Sequence, residues 1–357
     1  MRKDYNILSA RIQERLNPDS DPIIKAFTNE SLIDYKDVYR FVKLSMKAVD
    51  QKYTARSIEA GNNVKDHLIK EDLKASYEFQ GSVMTDTHIK GHSDIDLLVI
   101  SSKFYTWAKG EVNAILESPI LMQRYSHPAL VKLKNEVNTS NIYQNSLQDL
   151  LELRMKSQAK MIATYEICDV SKAKAIKIMN KNLNREVDIV IACWYEGVSS
   201  IITKAKKDKG VKIYNLDKQM TGDKSFPFLS IERINGRNTV TNGRLKKMIR
   251  FVKNCLINYQ TTLNIELDLK SFQINAICYN INPDIYHDLV FHELVAVVYH
   301  EIQRITQDSV YANTIKSVDG TETIFKDSVT LMGDLKLVLN EIESIHFDIQ
   351  ETQLIAS

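Results

Sequence analysis

Apolar residues recur along this chain with two different periods. Val38, Phe41, Val42, Leu44 and Val49 return every three or four positions, which predicts a helix over about Lys36 to Lys52. Ile58, Gly61, Val64 and Leu68 share one side of a second helix, about Thr54 to Leu73. Then the period changes. Tyr77-Glu78-Phe79-Gln80 alternates as a half-buried strand does, and Gly81-Ser82 ends it. Asp94 to Ile100 reads as a further strand, closed by Ser101-Ser102-Lys103. Helical spacing resumes over 142–166. Lys174 to Met179 and Glu186 to Trp194 read as two strands with Lys181-Asn182-Leu183-Asn184 in the turn, and a hairpin is the simplest connection. From Thr241 onward the pattern is mostly helical, through Tyr259, Ser271 to Tyr279, His287 to Thr306 and Met332 to Ile345.

Strands therefore cluster early and helices late, which predicts an α+β protein. A sheet lobe with N-terminal helices would occupy 1–220 and a helical lobe 221–357. Composition narrows the class. Only 11 Gly and 6 Pro argue against a loop-rich all-β or disordered chain. A net charge of +2 is too small for a general nucleic-acid coat, so duplex binding is not expected. Any anionic ligand must be held by local basic groups. Cys168, Cys193, Cys255 and Cys278 form no CxxC pair and lie in apolar surroundings, as buried free thiols do. No apolar run approaches the roughly 18 residues of a membrane span, and Met1-Arg2-Lys3-Asp4-Tyr5 lacks a secretion signal's apolar stretch. A cytoplasmic protein is expected.

The candidate chemistry begins with Ser93-Asp94-Ile95-Asp96-Leu97-Leu98-Val99-Ile100. Strand side chains alternate, so Asp94 and Asp96 share a face, about 6.7 Å apart along the strand. Ile95, Leu97 and Val99 face the other way, into a core. Two acids at the mouth of an apolar strand are costly when buried unpaired, and divalent cations relieve that cost. Val187-Asp188-Ile189-Val190-Ile191-Ala192 is a second apolar strand interrupted by one carboxylate. If the two strands are neighbours, Asp188 faces the same ions. Three aspartates suit two Mg²⁺ ions, with Mn²⁺ as a substitute, since both prefer oxygen ligands. Upstream, Gly81 permits a turn and a close approach to a ligand, and Ser82 offers a hydroxyl and an N–H to a phosphate. A lone Asp-x-Asp would be read as a solvated strand end. Gly-Ser before it and the matching acid after it favour catalysis.

A basic helix is the second informative segment. Leu245, Met248, Ile249, Val252 and Leu256 form an apolar stripe, and Lys246, Arg250 and Lys253 run beside it. Such a border either holds a triphosphate or is an ordinary cationic helix edge. His88, His92, His292 and His300 show no metal-ligand spacing. Lys204 to Lys209 reads as a solvated surface run, and Trp194 as core or wall.

Phe79-Gln80-Gly81-Ser82, Gly91-His92-Ser93-Asp94-Ile95-Asp96 and Glu186-Val187-Asp188 together resemble the signature of polymerase β-like nucleotidyltransferases. More narrowly, the chain resembles the bacterial cGAS/DncV-like nucleotidyltransferases. Ser225-Phe226-Pro227, Asn242-Gly243-Arg244, Arg250-Phe251-Val252-Lys253 and Ser271-Phe272…Tyr279-Asn280 follow in the order of that branch. The resemblance covers about residues 50 to 345. It implies a palm sheet carrying the aspartates and cyclic oligonucleotide synthesis from nucleoside triphosphates, at least one of them ATP or GTP. It further implies a messenger that activates a separate effector in anti-phage (CBASS) signalling, with regulatory partner proteins. By position, Gln80, Gly81 and Ser82 match nucleotide contacts, Arg250 and Lys253 match triphosphate contacts, Ser271 a donor-phosphate contact and Phe272 a base-stacking ring. Ser271 reads equally as a helix N-cap and Phe272 as core. Ser225 stands where pyrimidine-preferring relatives tend to have Asn, and its smaller hydroxyl suits a purine.

Two other classes compete. One is another transferase: a linear oligonucleotide synthase, an RNA-end polymerase or a protein-modifying toxin. The other is a non-catalytic nucleotide-binding module, against which the presence of all three aspartates weighs.

Overall fold

A computed structural model describes residues 3–16, 37–89, 91, 94–139, 143–326 and 328–356. His92 and Ser93 of the signature lie outside the described residues. The chain is α+β, with a mixed seven-stranded sheet and a helical C-terminal region. The strands are β1 (Ala75–Gln80), β2 (Ile95–Trp107), β3 (Ile167–Asp169), β4 (Ile176–Asn180), β5 (Arg185–Glu196), β6 (Gly210–Asn215) and β7 (Met220–Ser225). Their order is β1-β2-β5-β4-β3, with β6 pairing β5 and β7. Among the described strands only β2 and β5 pair in parallel; the other pairs are antiparallel.

The β4–β5 hairpin forms where its turn chemistry demands it. Asn180 Oδ1 accepts from the Leu183 N–H at 3.1 Å, and Asn184 takes a left-handed φ of 51°. Strand β2 outruns the expected stop at Ser101-Ser102-Lys103. Its register against β5 shifts between Ser101 and Tyr105, so the polar residues sit in an irregularity. Pairing then resumes from Tyr105 to Trp107 against Trp194 to Glu196. The two helices expected over about Lys36 to Lys52 and Thr54 to Leu73 are Asp37–Met46 and Gln51–Ile69. The second starts early because Asp50 Oδ1 accepts from the Lys52 N–H at 2.7 Å, an N-cap bond that apolar spacing does not reveal.

Backbone contacts divide the chain into two units. One comprises 55–81 and 94–232, and holds the sheet. Ile95, Leu97 and Val99 of β2 and Val187, Ile189 and Ile191 of β5 are buried on one face, as the alternation predicts. Gly61 brings its helix close to that face: a methyl there would meet the Phe79 ring at 2.6 Å and Ile95 Cδ1 at 3.1 Å. On the other face, beyond the aspartates, Leu98, Ile100, Val190 and Ala192 cluster with Phe228 and Trp194.

The other unit comprises 1–54, 82–93 and 233–357. The expected stripe Leu245, Met248, Ile249, Val252 and Leu256 is buried in its core. Val38, Phe41 and Val42 pack into the same cluster. The contacts thus place the helix Asp37–Met46 with the late helices, and the contact-defined units change at 232/233. Position 220 itself begins β7, whose pairing with β6 spans it. Lys204, Lys206 and Lys207 are exposed, as expected of a surface run, and its lysines also carry ion pairs. Lys206 reaches Glu78, Lys207 reaches Glu232, and Lys209 reaches the buried Glu196 at 2.8 Å. All four cysteines are free thiols, with Cys168 half-buried and the rest buried. Among the described residues, no helix is long and apolar enough to cross a membrane.

Candidate active site

Sheet register puts four polar residues in one row. Gln80 of β1 pairs with Asp96 of β2, Asp96 with Asp188 of β5, and Asp188 with Lys177 of β4. Directly paired residues present their side chains to the same face, so this row crosses four strands on one side of the sheet. Asp94 precedes Asp96 by two positions, and Glu186 precedes Asp188 likewise. The neighbouring parallel strands thus bring together the three aspartates that the sequence singled out.

Two residues of this cluster carried no role in the sequence reading: Lys177 and Glu186. The Lys177 ammonium lies 2.7 Å from Asp94 Oδ2 and 2.9 Å from Glu186 Oε2. The signal was present, since Ile176-Lys177-Ile178 places one charge between two buried residues. Strand pairing was needed to show where that charge goes.

The electrostatics follow from the crowding. Burial, then the charges of Asp188 and Asp94, push the Asp96 carboxyl up to about 7, with Lys177 opposing. Burial and then Asp94 also raise Asp188. Burial works against the Lys177 charge, but its bonds to Asp94 and Glu186 outweigh that and hold the ammonium above its ordinary range. Asp188 Oδ1 is fully buried and has no hydrogen-bond partner among the described residues. Also among the described residues, no three His, Cys, Asp or Glu side chains already converge on one metal position. The donor set nonetheless fits a hard divalent cation: oxygen ligands only, mutually repelling charges, and one buried oxygen unsatisfied.

This crowding has a measurable consequence. Between about pH 4 and 7 the folded protein holds a proton on Asp96 that the unfolded chain has lost. Stability without divalent metal is therefore expected to fall as pH rises across that window, then level off above pH 7. Melting temperatures in chelator from pH 5 to 8 check this, and Asp96→Asn should flatten the slope relative to wild type.

Gly81 closes β1 against the cluster. Its φ is +84°, in the left-handed region, and a Cβ built on it would run into the Asp96 carboxylate. Glycine here serves the predicted turn and also leaves room for the acid. Ser82 follows, and its carbonyl accepts from the Thr87 N–H at 3.0 Å, which folds the loop back on itself.

The basic stripe is not a solvated edge. Arg250 and Lys253 are buried. Arg250 Nε donates to the Met46 carbonyl at 2.9 Å and its Nη1 to the Asp86 carbonyl at 2.6 Å. Lys253 Nζ donates to the Thr87 carbonyl at 3.0 Å. Burial lowers its ammonium to about 7. Both side chains therefore hold the loop after Gly-Ser. His88 in that loop is buried, bonds Thr54 Oγ1 at 3.0 Å and stacks on Tyr53, a packing role consistent with its lack of ligand spacing.

Ser271 opens the helix Ser271–Asn280, whose N-cap is Lys270, so Ser271 is not the cap. The Lys270 N–H donates to Gln273 Oε1 at 3.0 Å. Phe272 is 41% exposed, so its ring is not core. Ser225 ends β7, half-buried and opposite Val211, and Pro227 begins the next helix, where a missing N–H costs nothing.

Residues 232–345 match the model of the cGAS/DncV-like nucleotidyltransferase C-terminal helical domain. A c-di-GMP synthase of Lachnospiraceae bacterium (strain RUG226) is 39% identical, over 97% of this chain and 99% of that protein. A c-di-GMP synthase of Capnocytophaga granulosa is 41% identical, over 98% of this chain and 99% of its own. Among solved structures, the STING-associated CdnE c-di-GMP synthase from Flavobacteriaceae sp. superposes with a TM-score of 0.84. It is 35% identical, with 99% of this chain and 100% of that chain covered.

Proposed function

Taking as premise that this chain belongs to the cGAS/DncV-like nucleotidyltransferases, as its full-length relatives show, we propose that it joins two GTP molecules into cyclic di-GMP. The observation that carries the chemistry is the register match of Asp96 and Asp188 on adjacent parallel strands, with Asp94 beside them. The choice of guanine follows the names of the relatives. It agrees with Ser225, whose small donor-and-acceptor hydroxyl suits a purine.

Asp94, Asp96 and Asp188 would hold divalent cations, Mg²⁺ or Mn²⁺. Bound there, the ions would lower the pKa of the attacking hydroxyl and neutralise the departing pyrophosphate. The chain's own residues do the rest. Asp188 orients the acceptor ribose hydroxyl and favours loss of its proton. The hydroxyl oxygen bonds to the α-phosphorus of the donor GTP, and the bond to pyrophosphate breaks. Gly81, with no side chain, lets the triphosphate approach the backbone, and Gln80 and Ser82 supply polar contacts. Ser271 and Phe272 are proposed, from family position, as a phosphate and a base contact. The contribution of Arg250 and Lys253 is proposed to run through the loop they hold. A second transfer, with the ends of the linear intermediate exchanged, closes the ring and releases a second pyrophosphate. Base recognition must then tolerate two acceptor orientations, which favours stacking over many fixed hydrogen bonds.

The product would act on a separate effector in anti-phage signalling. The Flavobacteriaceae relative is STING-associated, so a STING-type effector is the proposed target. Cytoplasmic nucleotides would supply the reaction. The test is to incubate the protein with all four ribonucleoside triphosphates and Mg²⁺, digest with phosphatase and weigh the products by mass spectrometry. A phosphatase-resistant cyclic di-GMP is expected. A wholly phosphatase-sensitive product contradicts cyclisation, and a resistant product without guanine contradicts the base assignment.

A further inference from the structure

We propose that Lys177 is a built-in counter-cation for the aspartate cluster, holding Asp94 until a divalent ion displaces it. The inference rests on the metal reading above and concerns a residue that reading does not use. Lys177 stands in the same cross-strand row as Gln80, Asp96 and Asp188. Its side chain reaches along that face to Asp94, at 2.7 Å from Oδ2. Asp94 Oδ2 is thereby taken up by an ammonium at the position where a cation ligand is needed.

The pair is not an ordinary surface ion pair. Lys177 and Asp94 are 22% and 28% exposed, and the lysine faces four carboxylates: Asp94, Asp96, Asp188 and Glu186. Even with Lys172 also acting on Asp188, the four acids outnumber their cationic neighbours, and among the described residues Asp188 Oδ1 has no hydrogen-bond partner. A divalent ion supplies the charge that one ammonium cannot. Entry of that ion is then an exchange of cations. Glu186 makes the exchange easy. Its Oε2 already lies 2.9 Å from Nζ, so the ammonium can leave Asp94 while keeping one partner. Lys177 is in this sense a positioning residue, acting on metal affinity through Asp94.

The exchange makes two opposite predictions for one variant. In full-length Lys177→Met the four acids lose their nearest counter-charge, so the melting temperature in chelator should fall by roughly 3 °C or more. The same variant should bind Mn²⁺ more tightly, by roughly tenfold, because no ammonium competes for Asp94. The rise in melting temperature on adding Mn²⁺ should be correspondingly larger than in wild type. Lys177→Arg keeps the charge and should restore both properties. Mn²⁺ titration and thermal melts with and without metal read this out independently of turnover. A purely structural lysine would weaken stability and Mn²⁺ binding together, and that result overturns the proposal while leaving the metal reading intact. Equal Mn²⁺ affinity in wild type and Lys177→Met does the same. Absence of Mn²⁺ binding in both proteins and in Lys177→Arg overturns the proposal and the metal reading together.

Discussion

Asp96→Asn is expected to fold normally and to lose cyclic product by about a thousandfold or more, since withdrawing several kcal/mol of transition-state charge stabilisation has that effect. Asp96 sits between Gln80 and Asp188 in the cross-strand row, so its oxygen borders both flanking strands. Asparagine keeps the shape but exchanges an anionic oxygen for a neutral amide, which a hard cation binds poorly. The fold should not suffer. Asp96 is raised to about 7 by burial and its two acidic neighbours, so removing its charge relieves repulsion. The melting temperature at pH 8 in chelator should stay level or rise. Asp94→Asn should lose activity comparably, and Asp188→Asn should impair mainly the activation of the hydroxyl. Pyrophosphate release with Mg²⁺, set beside thermal melts, separates lost chemistry from lost folding. Normal turnover by the protein lacking both Asp94 and Asp96 carboxylates would sink the mechanism.

Gly81→Ala should cost about a hundredfold in kcat, more than its effect on stability suggests. Alanine at a φ of +84° is strained by about 1 kcal/mol. For a chain of this size that corresponds to a melting temperature lower by about 1–2 °C. The larger effect is geometric. The new Cβ falls on the Asp96 carboxylate, and the carboxylate is the part that must turn aside. A misplacement of roughly 1 Å at a reacting centre is worth about a hundredfold in rate. Steady-state kinetics with GTP, Mn²⁺ titration and melts on the variant distinguish the two costs. Unchanged kcat with a lowered melting temperature would reduce Gly81 to a turn residue.

Much of this was legible in the order of residues. The alternation of Asp94, Ile95, Asp96 and Leu97 determined a strand with two acids on one face and apolar residues on the other. That follows from a period of two and needs no neighbours. Val187 to Ala192 likewise determined a buried strand with one acid, and 3.6-residue spacing determined the apolar stripe from Leu245 to Leu256. Local turn chemistry determined the β4–β5 hairpin. Short-range patterns of this kind survive because their physics lies within a few residues.

What the tertiary structure decided depends on pairings between distant segments. Periodicity could not say that Asp96 lies opposite Asp188, only that both were available. Nor could it send Lys177 to Asp94, or attach Lys206 and Lys209 to Glu78 and Glu196. A lysine's long stem lets its charge reach any neighbour that folding supplies. The stripe of Arg250 and Lys253 shows the same limit most sharply. Helical spacing put both beside an apolar face, and only packing made them donors to the carbonyls of Asp86 and Thr87. A buried cation must find a partner, but which one it finds is settled by the loop folded over it.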